Sequence, residues 1–359
     1  MTMKLRSALA CLLLAAAPQA GFAAGPRIAV VAPMSGNLQV LGDQIRLGAV
    51  QAADGKAEII TIDETCTEKS APSIAEQIRQ ADAVAAIGFL CVDSLDGGLP
   101  ILAETKIPAI TLSVRSPVLM EDSLKKGWPF FRLAPSTSAE RDMIVQEIFA
   151  QWKDKPFALL DDGTIMSREM IDNVRQALEQ KGMKAAFIDN FRPAQEVQTQ
   201  LIRRLAKAGI THVFAASDRN DMSVMARDAK AAKINLTFMG GDALNGTNQP
   251  VPLEPGTFAV TLPDPQTIAS AKPIVEIIHQ KKKSAEGYVL PSYSAITVIL
   301  EANEIASGSG APLADALSNT PFETPIGEIR FNKNHELSTN PFRMLVWDGN
   351  AFVLPPVTE

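Results

Sequence analysis

Residues 74–88 read IAEQIRQADAVAAIG, and they hold the clearest signal of the fold class. The first half, Ile74–Ala81, places apolar residues at helical spacing, and the second half, Ala83–Gly88, is an unbroken apolar run. Such a run is typical of a strand that is buried on both faces of a parallel sheet. Comparable strand candidates lie on either side of this unit, at Arg27–Val31, Ala57–Ile62 and Pro108–Leu112. Helices that alternate with such strands predict an α/β lobe.

A second series of alternating helices and strands runs through residues 139–239 and predicts a second lobe. Prolines then crowd residues 250–265, around the strand candidate Phe258–Leu262, and they stop helices there. We expect the chain to cross between the lobes at this point. The last stretch, Gly327–Val353, alternates apolar with polar residues and predicts hairpin-like strands.

The composition excludes several classes of function. The chain has 359 residues, of which 46% are hydrophobic and 21% are charged, as in ordinary globular proteins of about two domains. Its net charge is -6, so no broad basic surface could neutralise phosphates, and we expect no nucleic-acid partner. Its three histidines are isolated from other metal ligands, and the motifs of P-loops, dinucleotide-binding folds, nucleophile elbows and zinc proteases are absent. We therefore expect no metal, no cofactor and no enzyme activity.

The first 24 residues have the pattern of a secretory signal. The basic residues Lys4 and Arg6 precede an apolar run, Ala8–Ala17, and small residues follow it. Cleavage after Ala23 puts small residues at both recognition positions, so we expect an exported chain. Cys11 lies inside the apolar run and would be removed with it.

Two cysteines, Cys66 and Cys91, remain after the signal segment. Export places them in a compartment that permits disulfides, and their even number favours one bridge between them. Two buried free thiols are the alternative.

Polar residues follow the predicted strands of both lobes, at the edge where open α/β sheets bind their ligands. In the first lobe they are Cys91–Ser94 and Ser113–Ser116, and in the second lobe Asp161–Gly163, Ser217–Arg219 and Gly241–Asp242. Acidic strand ends that face an arginine would suit a zwitterion with its carboxylate towards the first lobe and its ammonium towards the second. Each serine or aspartate could also be a helix cap or turn residue.

Nearly all of the chain after residue 24 resembles the periplasmic binding proteins of branched-chain amino acid ABC transporters, the leucine/isoleucine/valine-binding group. The order and spacing of eight segments carry the resemblance: Ile28–Gly36, Gly42–Gln44, Asp63–Cys66, Ile87–Cys91, Pro108–Thr111, Phe131–Arg132, Phe238–Gly240 and Gly327–Phe331. The resemblance implies the type I periplasmic binding protein fold. This is an α/β fold of two Rossmann-like lobes with parallel sheets, and a three-segment hinge joins the lobes. It places residues 25–135 and 263–325 in the N-terminal lobe, and residues 136–262 and 326–359 in the C-terminal lobe.

The same resemblance implies a function without catalysis. The protein would be a periplasmic monomer that clamps a small-molecule ligand between its lobes and delivers it to the membrane permease subunits of an ABC importer. The ligand would be a small solute that bears a carboxylate, either an amino acid or a related compound.

Carried over by position, the ligand contacts of the family fall on Val92, Ser113 and Arg115 in the first lobe and on Asp242 in the second. Asp93 and Ser94, beside Val92, join these as candidates. Family members commonly have a hydroxyl residue at Val92 and threonine at Arg115. The aromatic residues that often line the family's pocket are replaced here by Leu41, Met166 and Asp218.

These departures imply a rebuilt pocket. Arg115 could grip a carboxylate with its planar donor fork, or it could form a salt bridge to Asp218 or Asp242 across the empty cleft. Two other functions stay open: a periplasmic sensor subunit of the same fold, and a secreted α/β hydrolase that uses Asp161, Asp162 or Asp218 as acid or base.

Overall fold

A computed structural model describes residues 25–356, apart from the side chain of Glu68. The signal segment predicted for residues 1–24 lies outside this range. The described chain forms two α/β lobes, each with its own sheet. Within this range, no helix combines the length and the apolar character that crossing a membrane requires.

The first lobe is built on a five-stranded parallel sheet in the order β2-β1-β3-β4-β5. Its strands are β1 Arg27–Ala32, β2 Glu58–Asp63, β3 Ala85–Gly88, β4 Ala109–Thr111 and β5 Phe130–Arg132. The helices between them are α1 Gln39–Ala53, α2 Ala71–Gln80, α3 Val92–Asp96, α4 Leu99–Glu104 and α5 Pro117–Lys126. The chain later returns to this lobe with α10 Lys272–Gln280, α11 Val289–Ser309, α12 Leu313–Asn319 and the hairpin of β11 Phe322–Thr324 and β12 Gly327–Ile329.

Both faces of this sheet are covered, which explains why its strands read as unbroken apolar runs. Ile28 and Val30 of β1 pack into a core on one face, and Ala29 and Val31 pack into a second core on the other. Helix α11 contributes to the first of these cores by lying directly against α1. A Cβ atom at Gly48 would lie 2.0 Å from a backbone oxygen of α11, so only glycine permits this close approach.

The second lobe is built on a seven-stranded sheet in the order β14-β13-β10-β9-β8-β6-β7. Its strands are β6 Phe157–Asp161, β7 Phe187–Asn190, β8 His212–Ala216, β9 Thr237–Gly240, β10 Phe258–Thr261, β13 Arg343–Trp347 and β14 Phe352–Val353. Its helices are α6 Thr137–Gln151, α7 Ile165–Gln180, α8 Thr199–Lys207 and α9 Arg219–Ala231. The strands from β6 to β10 are parallel, and β13 and β14 add an antiparallel edge that includes the predicted C-terminal hairpin.

Three segments join the lobes. The first connects β5 to α6, the second connects β10 to α10, and the third connects the hairpin of β11 and β12 to β13. These segments are the three-segment hinge that the family resemblance implies.

A buried ion pair fixes the start of the third segment to the first lobe. Arg132 of β5 is 1% exposed, and its guanidinium pairs with the carboxylate of Glu336. The Arg132 backbone N–H donates to the carbonyl of His335 at 3.0 Å, and the His335 ring stacks on Phe131 with the centroids 4.3 Å apart.

The family resemblance implies a lobe boundary after residue 325. It falls inside the turn between β11 and β12, which are hydrogen-bonded to each other. Ile329 and Phe331 pack in the same core as Ile28, whereas Phe342 packs in the core of the second lobe. We propose that residues 326–337 belong to the first lobe and that the third crossing lies between residues 337 and 342.

Candidate functional site

The residues singled out in the sequence lie at the carboxyl ends of the strands of both sheets, apart from Leu41 on α1. In the first lobe, Val92, Asp93 and Ser94 open α3 after β3, and Ser113 and Arg115 lie between β4 and α5. In the second lobe, Met166 lies in the first turn of α7, Asp218 precedes α9, and Asp242 follows β9. The fold thus places polar residues of both lobes at sheet edges of the kind that bind ligands in α/β proteins.

Arg115 of the first lobe and Asp242 of the second lobe are in direct contact. Nη2 of Arg115 donates a hydrogen bond to Oδ2 of Asp242 at 3.0 Å. The guanidinium also lies 5.7 Å from the ring centroid of Phe342, close enough for a cation–π interaction. Of the two salt bridges considered from the sequence, the structure contains the one to Asp242.

The second lobe holds Asp242 rigidly through its other atoms. Its Oδ1 accepts hydrogen bonds from the hydroxyl of Thr261 at 2.7 Å and from the N–H of Leu262 at 3.4 Å. Its own N–H donates to Oε1 of Glu140 at 2.8 Å. Asp242 is therefore held in place by three groups of its own lobe.

Glu140 also lies beside Arg115 and Asp242, although it was not predicted from the sequence. It is 9% exposed, and its Oε2 lies 4.0 Å from Nη1 of Arg115. Burial raises the pKa of the Glu140 carboxyl, and the nearby charge of Asp242 raises it further, while the N–H of Asp242 and the charge of Arg115 lower it. An acidic residue in the first turn of a helix is ordinary for helix stability, so the sequence alone carried no signal for this role.

Ser113 already has a hydrogen-bond partner inside its lobe. The phenol of Tyr288, at the start of α11, donates to the hydroxyl of Ser113 at 3.0 Å. The backbone N–H of Tyr288 in turn donates to Oε1 of Gln44 at 3.1 Å. Tyr288 was also missed from the sequence, because only the fold brings α11 beside the loop after β4.

The other candidates have mixed environments. Val92 is 43% exposed, whereas Ser94 is buried beside the carboxylate of Glu64. Leu41 is half-buried and Met166 is exposed. None of these is hydrogen-bonded to the pair of Arg115 and Asp242.

Asp218 caps α9. Its Oδ1 accepts a hydrogen bond from the N–H of Asp221 at 2.8 Å, as the capping alternative anticipated.

Cys66 and Cys91 form the predicted disulfide, with their Cα atoms 5.4 Å apart. Beside it, Glu64 is buried and accepts hydrogen bonds from the N–H groups of Leu90 at 2.8 Å and Cys91 at 3.1 Å. Burial raises the pKa of the Glu64 carboxyl, although these hydrogen bonds lower it. Within residues 25–356, Glu64 and the two cysteines form the one group of three potential metal ligands, but the sulfur atoms are bonded to each other.

Asp221, three residues after Asp218, is a buried acid. It is 1% exposed, and its Oδ1 accepts a hydrogen bond from the N–H of Ala194 at 2.8 Å. Its Oδ2 has no hydrogen-bond partner among the described residues. Burial raises the pKa of Asp221 from 3.8 to about 6, and the charges of Asp218 and Asp162 add to the rise.

This raised pKa predicts a specific pH dependence of stability. The folded state holds the proton of Asp221 more tightly than the unfolded state, so the contribution of Asp221 to stability is greatest below pH 3.8 and is lost as the pH rises through about 6. Relative to Asp221→Asn, wild type should lose about 2 kcal/mol of unfolding free energy between pH 4 and pH 7.

Urea unfolding of both proteins at the two pH values measures this difference. The same substitution at the exposed Asp96 is the control and should change stability by less than about 0.5 kcal/mol at either pH. A constant difference between wild type and Asp221→Asn would contradict the prediction.

Comparisons with known proteins agree with this architecture. The family model described as periplasmic binding protein matches residues 26–351. The leucine-, isoleucine-, valine-, threonine- and alanine-binding protein of Pseudomonas aeruginosa is 26% identical over 347 residues, which cover 90% of each chain.

Solved structures share the fold. An ABC transporter substrate-binding protein from Sphaerobacter thermophilus is similar with a TM-score of 0.69 at 18% identity, covering 92% of this chain and 97% of that one. A substrate-binding protein from Desulfitobacterium hafniense in complex with Leu is similar with a TM-score of 0.69 at 16% identity, covering 91% and 99%. With a family match over nearly the whole described range and two lobes joined by three segments, the chain belongs to the periplasmic binding protein family.

Proposed function

We propose that this protein is the solute-binding component of an ABC importer and that it captures a small carboxylate-bearing solute between its lobes. The observation that carries the proposal is the contact between Arg115 and Asp242, one from each lobe, at 3.0 Å. An ion pair that spans the lobes marks the place where a bound solute would touch both of them. The relative from Pseudomonas aeruginosa is named as a binding protein for five amino acids, which supports a solute of this size and charge.

Arg115 provides the anchor for the solute carboxylate. A guanidinium has five N–H donors in a planar fork, and only one nitrogen of Arg115 is hydrogen-bonded to Asp242. The Arg115 side chain is 31% exposed, and its Nε and Nη1 donate no hydrogen bond within residues 25–356, so a carboxylate could accept from them as it does from such a fork elsewhere.

Closure follows from where the contacts lie. A solute held by Arg115 touches residues of the second lobe only when the lobes meet, so it binds the closed form more tightly than the open form. That difference in affinity shifts the equilibrium towards closure about the three connecting segments.

The protein acts without catalysing a reaction. The aspartates considered as acid or base each have a local partner. Oδ1 of Asp161 accepts from the N–H of Gly163 at 2.9 Å, Oδ1 of Asp162 accepts from the N–H of Thr164 at 2.9 Å, and Asp218 caps α9. These are the contacts of turn and cap residues, which favours binding over hydrolysis.

The setting completes the proposal. A signal peptide in residues 1–24 would direct the chain to the periplasm, where it would work as a monomer. It would hand its solute to membrane permease subunits.

Ligand-induced stabilisation tests the proposal. A solute at 100 times its dissociation constant should stabilise the protein by about 2.7 kcal/mol, which a thermal-shift panel of amino acids, aromatic acids, dicarboxylates and amides would detect. Arg115→Ala should weaken binding of the best carboxylate at least tenfold, about 1.4 kcal/mol, because the anchoring charge is lost.

The control variant is Arg175→Ala on α7. Its side chain is 31% exposed, as is that of Arg115, and it pairs with Asp172. It should leave the affinity unchanged. A panel without any stabilising solute, or an Arg115→Ala protein with wild-type affinity, would contradict the proposal.

A further inference from the structure

The anionic group at the contact between the lobes is already hydrogen-bonded on both of its oxygens. Oδ2 of Asp242 accepts from Arg115, and Oδ1 accepts from Thr261 and Leu262. A ligand ammonium at Asp242 would have to share Oδ2 with the guanidinium of Arg115, because Oδ1 already accepts two hydrogen bonds from the second lobe. An ammonium of a zwitterionic solute that bound this oxygen would therefore lie directly beside the Arg115 guanidinium.

Glu140, the second acid beside Arg115, offers a ligand ammonium no better acceptor. Oε1 of Glu140 is taken by the N–H of Asp242 at 2.8 Å, and Oε2 faces Nη1 of Arg115 at 4.0 Å. The side chain is 12% exposed, so little of it is open to a solute.

The charge of Arg115 is permanent, because a guanidinium stays protonated at every pH at which proteins are folded. An ammonium brought next to it would meet a like charge, whereas a carboxylate would meet an opposite one. Of these two groups, only the carboxylate therefore interacts favourably with the other donors of Arg115.

We propose that Arg115 makes this site select carboxylates that lack a protonated amine, such as simple alkanoates or aryl acids, over the matching amino acids. The inference rests on the proposed function and specifies its solute. Arg115 is thus a specificity-determining residue, since it anchors the carboxylate and supplies the cation that pairs with Asp242.

Matched pairs of probes test the inference by isothermal titration calorimetry on the full mature chain. The pairs are L-leucine with 4-methylpentanoate and L-phenylalanine with 3-phenylpropanoate, which differ only by the amino group. In the pair that binds more tightly, the acid without the amine should bind at least tenfold better than the amino acid.

Arg115→Thr should reduce or reverse that preference, because it frees Oδ2 of Asp242 to accept from an ammonium. Arg175→Ala should keep the wild-type preference. Circular dichroism melts check that each variant is folded, and the comparison within wild type decides the question even where a variant does not fold.

The outcomes separate the two proposals. If an amino acid binds wild type as tightly as its matched acid, or more tightly, the inference is wrong and the proposed function stands. If no member of either pair and no carboxylate of the thermal-shift panel binds, the proposed function is wrong and the inference falls with it.

Discussion

Replacing Glu336 with alanine should lower the free energy of unfolding by about 3 kcal/mol or more, because it leaves a buried charge without its partner. Arg132 is 1% exposed, and its guanidinium pairs with Glu336, whose side chain is 25% exposed. Desolvation lowers the pKa of Arg132, while the charge of Glu336 and its hydrogen bond raise it. In the Glu336→Ala variant, Arg132 keeps the hydrogen bond from its Nη1 to the carbonyl of Ser116 at 3.1 Å. It loses the carboxylate that balances its charge.

Urea unfolding of Glu336→Ala measures the loss. Glu336→Gln keeps an acceptor without the charge and should lose less. The matched control is Glu328→Ala on the preceding strand β12, at an exposed site, with an expected change within about 0.5 kcal/mol. Equal stability of Glu336→Ala and the control would show that the pair does not secure the third connecting segment.

Removing the disulfide should cost about 3 kcal/mol. The bridge joins residues 25 positions apart in the chain, and closing a loop of that length restricts the unfolded state by about this amount. Glu64, two residues before Cys66, accepts hydrogen bonds from the N–H groups of Leu90 and Cys91, so these contacts join the same two segments as the disulfide.

The double variant Cys66→Ser with Cys91→Ser is compared with wild type in urea, with and without dithiothreitol. Wild type should be destabilised by the reductant towards the level of the variant, and the variant should not respond to it. A variant as stable as oxidised wild type would contradict this prediction.

Most of the fold could be predicted from local sequence patterns. The runs at Arg27–Val31 and Ala83–Gly88 predicted strands buried on both faces, and cores cover both sides of the sheet that contains them. We propose a lobe boundary later than residue 325, which local patterns do not indicate because a short hairpin has the same alternating pattern whichever lobe it joins. Its place is decided by contacts distant in sequence, such as Arg132 with Glu336 and the packing of Phe331.

Some residues of the candidate site could also be predicted from local sequence, and others could not. Arg115 and Asp242 stood out because polar residues at strand ends meet where parallel sheets bind ligands. Glu140 and Tyr288 did not stand out, because each is ordinary in its own segment, the first turn of α6 and the start of α11. Only the folded chain brings Glu140 to Asp242 and Tyr288 to Ser113.

The most direct test of the central claim is the distance between the lobes with and without solute. Spin labels can be placed on Val118→Cys in the first lobe and Ile165→Cys in the second, at positions 67% and 83% exposed, since Cys66 and Cys91 are bonded to each other. Pulsed electron paramagnetic resonance then gives the distribution of distances. We predict that saturation with the tightest carboxylate of the panel shifts this distribution to shorter distances. An unchanged distribution, with calorimetry reporting the solute bound, would contradict capture by closure of the two lobes.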